Sequence, residues 1–203
     1  FHQPGGTPSL LPEKGFTYDA GVEMAIRRER WLLKGGVTGF DSYIDDWILW
    51  TPNVKGYWEP SNVKRVHNYG IEANAHAEVV LARRTKLTVG GNFAWTPSIN
   101  LGEMQHSNDR SYGKQLCYVP RISANAHARL EWRSWALAVQ WSHYGERYTT
   151  TSNESTDITV KLKPYYMTDC SLEKSFRIKR VELSLKLAVN NLLGTEYVTV
   201  FSH

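Results

Sequence analysis

The stretch from Val63 to Ala82 reads V-K-R-V-H-N-Y-G-I-E-A-N-A-H-A-E-V-V-L-A, and its parity decides the fold. From Tyr69 onward the odd positions are Tyr69, Ile71, Ala73, Ala75, Ala77, Val79 and Leu81, against Gly70, Glu72, Asn74, His76, Glu78, Val80 and Ala82 on the even ones. That is a period of two rather than 3.6, so the segment is a strand. One face carries an apolar row and the other a polar row with charge. Globular strands usually run about 5 to 6 residues, which this segment far exceeds. A tilted membrane-spanning strand needs roughly 9 to 11 residues in the hydrocarbon and more beyond it. Length and parity together predict a barrel wall.

Seven further segments alternate in the same way. Residues 15–26 put Phe16, Tyr18, Ala20, Val22, Met24 and Ile26 on one parity. In residues 32–50 the apolar parity is read as Phe40, Ile44, Ile48 and Trp50, with Tyr43 and Trp47 blurring it. Residues 87–95, 118–132, 135–146, 166–178 and 181–189 complete eight predicted strands, with Lys174 out of pattern in the seventh. Short basic turns (27–30, 83–85, 133–134, 179–180) follow the first, third, fifth and seventh strands. Longer loops over 51–62, 97–115 and 149–163 follow the second, fourth and sixth. Such asymmetry is that of transmembrane barrels, with short periplasmic turns and long extracellular loops. Trp31, Trp132 and Trp135 lie beside the turns and Trp50, Trp95 and Tyr118 beside the loops, as two interfacial girdles would require. Alternation alone also suits a soluble lipocalin-like barrel with its apolar row inward.

Composition agrees with a barrel and excludes a helical membrane protein. The 203 residues are 22% charged and 41% hydrophobic, with no apolar run near the roughly 20 residues a membrane helix needs. Mean hydropathy is −0.45, which alternating strands produce even in lipid. A net charge of +4 gathers largely at the turns and does not point to nucleic acid. Cys117 and Cys170 have neither metal spacing nor a C-x-x-C pairing, and are expected to be free thiols. The N-terminal residues show no charged region followed by an apolar one and no initiator Met, as expected of a chain whose leader has been removed or, the favoured reading, of part of a longer chain.

Leu185 to Tyr197, L-K-L-A-V-N-N-L-L-G-T-E-Y, resembles the penultimate strand of TonB-dependent outer-membrane receptors, through Asn191, Leu192, Leu193, Gly194 and Tyr197. Five other pieces resemble that family in order: Pro12-Glu13-Lys14 with Gly21-Val22-Glu23, Phe40 with Ile44 to Ile48, Asn68 to Glu72, Val119-Pro120-Arg121, and Tyr144 to Tyr148. The resemblance covers most of the chain. It implies an all-β, antiparallel transmembrane barrel of about 22 strands, of which residues 1–203 are the C-terminal portion, eight consecutive strands. The family's plug, TonB box and closing strand would lie outside the sequence. It further implies a bacterial outer-membrane location and TonB-driven uptake of a scarce ligand such as a siderophore, cobalamin or a glycan. The partners implied are outer-membrane lipid, the remaining barrel and plug, TonB through the plug region, and a small-molecule ligand. The alternative is a self-contained eight-stranded barrel serving as adhesin, structural protein or binding module, which requires the first and eighth strands to pair.

No G-x-S-x-G, Walker, zincin or dinucleotide motif occurs, so neither enzymatic activity nor a cofactor is expected. The polar parity of a barrel wall lines the lumen, which selects Glu72, Asn74, His76, Arg121, Asn125, His127 and Arg129. Charge pairing among Glu72, Glu78, Arg121, Arg129 and Glu131 is the plain account of the ionised members. His76 and His127 sit in identical Ala-Asn-Ala-His-Ala pentapeptides, 73–77 and 124–128. Lining a permeation path or touching a metal chelate is weighed for them against the role of ordinary lumen residues. Asp41, Asp45 and Asp46 could suggest a cation, but one strand offers too few convergent oxygens, so no metal site is assigned. In the loops, Tyr57, Trp58, His106, Asn108, Arg110 and Tyr112 combine the aromatic and polar groups of a ligand-capturing surface.

Overall fold

The structure, a computed structural model, describes residues 8–52, 58–102, 109–153 and 161–199. Its strands are β1 (Lys14–Arg27), β2 (Trp31–Pro52), β3 (Trp58–Ala82), β4 (Thr85–Trp95), β5 (Ser98–Asn100), β6 (Ile122–Trp132), β7 (Trp135–Tyr144), β8 (Arg147–Tyr148), β9 (Lys161–Leu162), β10 (Tyr165–Ile178) and β11 (Val181–Val189). Eight form one antiparallel meander in the order β1-β2-β3-β4-β6-β7-β10-β11. Among the described residues β1 pairs only with β2 and β11 only with β10. The closure that a self-contained eight-stranded barrel needs is therefore not made.

Register carries the alternation across the whole sheet. Val22, Val37, Ala73, Phe93 and Ala124 lie in one row, each opposite the next. Leu87, Leu130, Leu137, Leu172 and Leu187 lie in another. This face has no covering layer among the described residues. Val22 is 76% exposed and Leu187 69%. An apolar surface this broad is far beyond what a soluble chain leaves to water. On the opposite face Thr17 donates to Ser42 (2.8 Å), Lys86 pairs with Glu78 (3.0 Å), and Ser175 meets Ser184 (3.1 Å). Lys174, out of pattern on the apolar face, reaches the turn end. There its Nζ donates to the Ser134 hydroxyl (2.7 Å) and lies 4.4 Å from the Trp135 ring centre, a lysine snorkelling out of an apolar band.

Three expectations need correction. The parity of β2 is reversed: Val37 and Gly39 share the apolar face with Val22 and Ala73, while Phe40 lies opposite Asp19 and Gly70 on the polar face. The bulky residues from Phe40 onward mislead the count, because polarity itself inverts there. Toward the long loops, Ile44 and Val66 pair on the polar-face side and Val66 is fully buried. The other face there carries Asp41, Tyr43 and Asp45. Second, the described residues of the expected 51–62 loop, 51–52 and 58–62, are strand, since β2 and β3 stay paired out to Pro52 opposite Trp58. Third, the fifth predicted strand begins at Ile122 rather than Tyr118, whose φ of 61° belongs to a turn, and the sixth ends at Tyr144.

The loops add short pairings of their own. After β4 the chain turns at Thr96-Pro97, and β5 pairs with residues 66–68 of β3. Gly70 sits where β3 changes partner, and a Cβ there would collide with the Trp95 carbonyl oxygen. Within the expected 149–163 loop, β9 pairs with β8 in a two-stranded sheet.

Candidate functional site

Two zones of the polar face, between turn end and loop end, hold most of the polar chemistry. Nearest the turns the charges satisfy one another. Arg129 bonds Glu131 (3.0 Å) and Glu173 (3.2 Å), and Glu78 accepts from His76 (3.1 Å) and Lys86 (3.0 Å). Above them lies a neutral band in which Asn74, Asn92 and Asn125 stand opposite one another on β3, β4 and β6, all exposed. One row nearer the turns, His76 and His127 both face Gly90.

The loop end holds the buried core. Val66, Leu116, Cys117, Leu162 and Tyr165 are all under 9% exposed, together with the polar Gln115, Ser98 and Arg147. Gln115 joins the pieces. Its Oε1 accepts from the Ser98 amide (3.1 Å) and Arg121 Nε (3.1 Å), its Nε2 donates to the Val119 carbonyl (3.3 Å), and its own carbonyl accepts from Asn153 Nδ2 (2.9 Å). Tyr118 N donating to Tyr148 O (2.7 Å) ties the same two loops again. Arg147 donates to the Val198 carbonyl (3.1 Å) and lies 5.3 Å from the Tyr165 ring centre, itself stacked between Tyr144 and Tyr197. Burial pushes the Cys117 thiol above its ordinary value. Both cysteines are free.

Sequence reasoning does not single out Gln115 as a hub, and Arg147 enters it only as a motif letter. Their signal lies in the family-like motifs, which the structure turns into local reasons. Gly145 donates to the Ile122 carbonyl (3.0 Å) so closely that a Cβ would collide with it. Asn191, at φ 51°, accepts from Thr195 N (2.9 Å) and returns Nδ2 to its carbonyl (3.0 Å), fixing the turn after β11.

Of the residues selected as lumen-lining, Glu72, Asn74 and His76 share the polar parity of β3, and Asn125, His127 and Arg129 that of β6. Arg121 precedes β6 and is engaged with Gln115. Tyr57, His106 and Asn108 lie outside the described residues, as does the side chain of Trp58, which opens β3. Arg110 and Tyr112 are both exposed in the 101–114 loop. Asp41 and Asp45 are engaged by His67 (3.1 Å) and Arg65 (3.0 Å) on the apolar-face parity, so with Asp46 they form no common site. His67 is stacked on Tyr43 (4.2 Å) and packs against Tyr69 (4.7 Å), an aromatic belt where the apolar band ends. From Tyr69 to Val79 that band spans eleven residues, the length a tilted strand uses to cross hydrocarbon, roughly 9 to 11.

An antiparallel sheet with one broad uncovered apolar face, a polar face opposite, aromatics at both edges and alternating short turns and long loops is a transmembrane β-barrel wall. The family model for the TonB dependent receptor-like β-barrel matches residues 1–192, and the chain belongs to that family. It is 27% identical over 197 residues to the vitamin B12 transporter BtuB of Photobacterium profundum, covering 95% of this chain and 28% of that protein. Among solved structures it resembles the ferric citrate transporter FecA, with a TM-score of 0.67 at 12% identity over 92% of this chain and 27% of that one. It also resembles the ferripyoverdine receptor of the outer membrane of Pseudomonas aeruginosa, with a TM-score of 0.59 at 14% identity over 95% and 25%. The chain thus spans little more than a quarter of the length of the relatives it matches.

Proposed function

We propose that residues 1–203 form the C-terminal portion of the barrel of an outer-membrane receptor, which imports a scarce ligand such as a siderophore, cobalamin or a glycan by coupling to TonB. The uncovered apolar face of the open eight-stranded sheet carries this reading, with family membership beside it. On this reading the apolar face meets lipid. The edges of β1 and β11 pair with the remaining strands of the barrel, because a sheet edge left in hydrocarbon costs several kcal/mol for each unsatisfied backbone group. Glu72, Asn74, His76, Arg121, Asn125, His127 and Arg129 face the lumen. The plug sits within it and reaches TonB. Arg110 and Tyr112, with His106 and Asn108 of the same segment and Tyr57 and Trp58 of the β2–β3 connection, belong to the outer surface that first meets the ligand. The chain acts by binding and passage rather than by catalysis.

Ligand-limited growth tests this. Cells living on siderophore-bound iron, cobalamin or a glycan as the limiting nutrient should need both the receptor containing this wall and TonB for at least one of these ligands. Growth on all three that is indifferent to loss of either would contradict the proposal.

A further inference from the structure

The duplicated Ala-Asn-Ala-His-Ala pentapeptides occupy β3 and β6, which run in the same direction with only β4 between them. Register sets the copies level: Asn74 and Asn125 both face Asn92, and His76 and His127 both face Gly90. In an antiparallel sheet a residue makes a hydrogen-bonded pair on one side, with Cα atoms about 5.5 Å apart, and a non-bonded pair on the other, about 4.5 Å. The two histidine Cα atoms are therefore roughly 10 Å apart, whichever pair is which. A glycine midway leaves the space between the imidazoles open. The His127 ring already leans over it, since a Cβ on Gly90 would lie 2.8 Å from His127 Cε1 and 3.0 Å from Nε2.

Behind His76 stands Glu78, whose Oε1 is 3.1 Å from His76 Nε2 and whose Oε2 is 3.0 Å from Lys86 Nζ. An ionised carboxylate only accepts, so the neutral imidazole of His76 donates to it through Nε2 and offers a metal the lone pair on Nδ1. This carboxylate–histidine pairing is the one that orients metal-binding imidazoles. His127 has no hydrogen-bond or ionic partner among the described residues, where no cluster of three or more His, Cys, Asp or Glu side chains suits a metal. The protein's share is two nitrogens.

We propose that His76 and His127 form a two-imidazole site over Gly90 for a divalent transition-metal ion, bound as cargo either hydrated or in a chelate with open coordination positions. This rests on reading the polar face as lumen. Two ligands hold an ion loosely, which suits a site that passes it on. Imidazole nitrogen selects copper, nickel and zinc over calcium and magnesium, and copper(II) binds most tightly in that series.

The test uses the full-length receptor in nanodiscs, titrated with Cu2+ alone and with Cu2+–nitrilotriacetate, and read by electron paramagnetic resonance. The expected result is one site per chain, in at least one arm, with hyperfine coupling to two imidazole nitrogens. His76→Gln and His127→Gln should each weaken binding by about tenfold or more, since each removes one of the two ligands. His143→Gln, on the other face, should change nothing. A wild-type spectrum without imidazole nitrogens, or His76 and His127 variants that bind as wild type, would overturn the site. Labelling of the Asn74→Cys variant with an aqueous maleimide separates the two readings. Labelling without imidazole-bound copper sinks the metal site alone, and failure to label sinks the lumen reading beneath it.

Discussion

The wall between the turns and Trp95 and the cap above it are stabilised in different ways. In the wall a residue's role follows from its parity. Ala75 and Asn74 are neighbours in sequence, yet one belongs to a surface that needs lipid and the other to a surface that needs water. Few of the wall's described residues are buried, Ala136 among them. In the cap Val66, Leu116, Cys117, Leu162 and Tyr165 pack as a soluble domain packs, and single hydrogen bonds to Gln115 and Arg147 set the arrangement. The polarity of β2 and β3 inverts where the two regions meet. That inversion marks the upper edge of the hydrocarbon within one strand.

The contrast can be broken most forcefully at Ala75. Ala75→Arg should cost the receptor about 2–4 kcal/mol if the residue lies near the bilayer midplane, whereas Asn74→Arg should cost little. Denaturant-driven unfolding from lipid vesicles measures both. Equal costs would mean that parity does not decide the environment.

A smaller effect is expected in the cap. Gln115→Leu leaves the Ser98 amide and the Arg121 guanidinium without their shared acceptor, at a cost of about 1–3 kcal/mol for a buried unsatisfied group. Because the loss is local, amide exchange should quicken at residues 98–121 and 147–153 while residues 71–79 keep their protection. Uniform acceleration across the wall would show that cap and wall unfold as one.

The least effect belongs to Lys161, whose pKa the Glu146 hydrogen bond holds above its ordinary value. A cation whose folded pKa is raised adds stability that is fully present below its unfolded pKa, about 10.4 for lysine. That stability is lost as pH rises through the higher folded value. Both partners are exposed, so the whole effect stays within about 0–1 kcal/mol. Amide exchange at β8 and β9 should rise faster above about pH 10 in wild type than in Lys161→Ala, after correction for the intrinsic pH dependence of exchange.

The eight long strands are legible because lipid and water impose a period of two on every residue between the girdles. Val22, Ala75 and Leu187 announce their face without any knowledge of a partner. Legibility ends at Phe40, beyond which residues 98–101 pair along the edge of β3 at residues 65–68, a contact between distant segments that no local pattern encodes. β5 escapes sequence reading for the same reason: three residues paired to 66–68 leave no periodicity to read. Of the candidate site, the level placement of His76 and His127 is half visible in the repeated pentapeptide. The other half needs the register through Gly90.

The most direct test of the account is the environment of alternate residues on β3. Single cysteines at Ile71, Ala75 and Val79 in the full receptor should resist a water-soluble thiol reagent and, carrying a fluorophore, be quenched by a lipid-borne nitroxide. Those at Glu72, Asn74 and His76 should react with the aqueous reagent and escape the quencher. Quenching of the even row, or of neither row, would contradict the assignment of this sheet as a membrane wall.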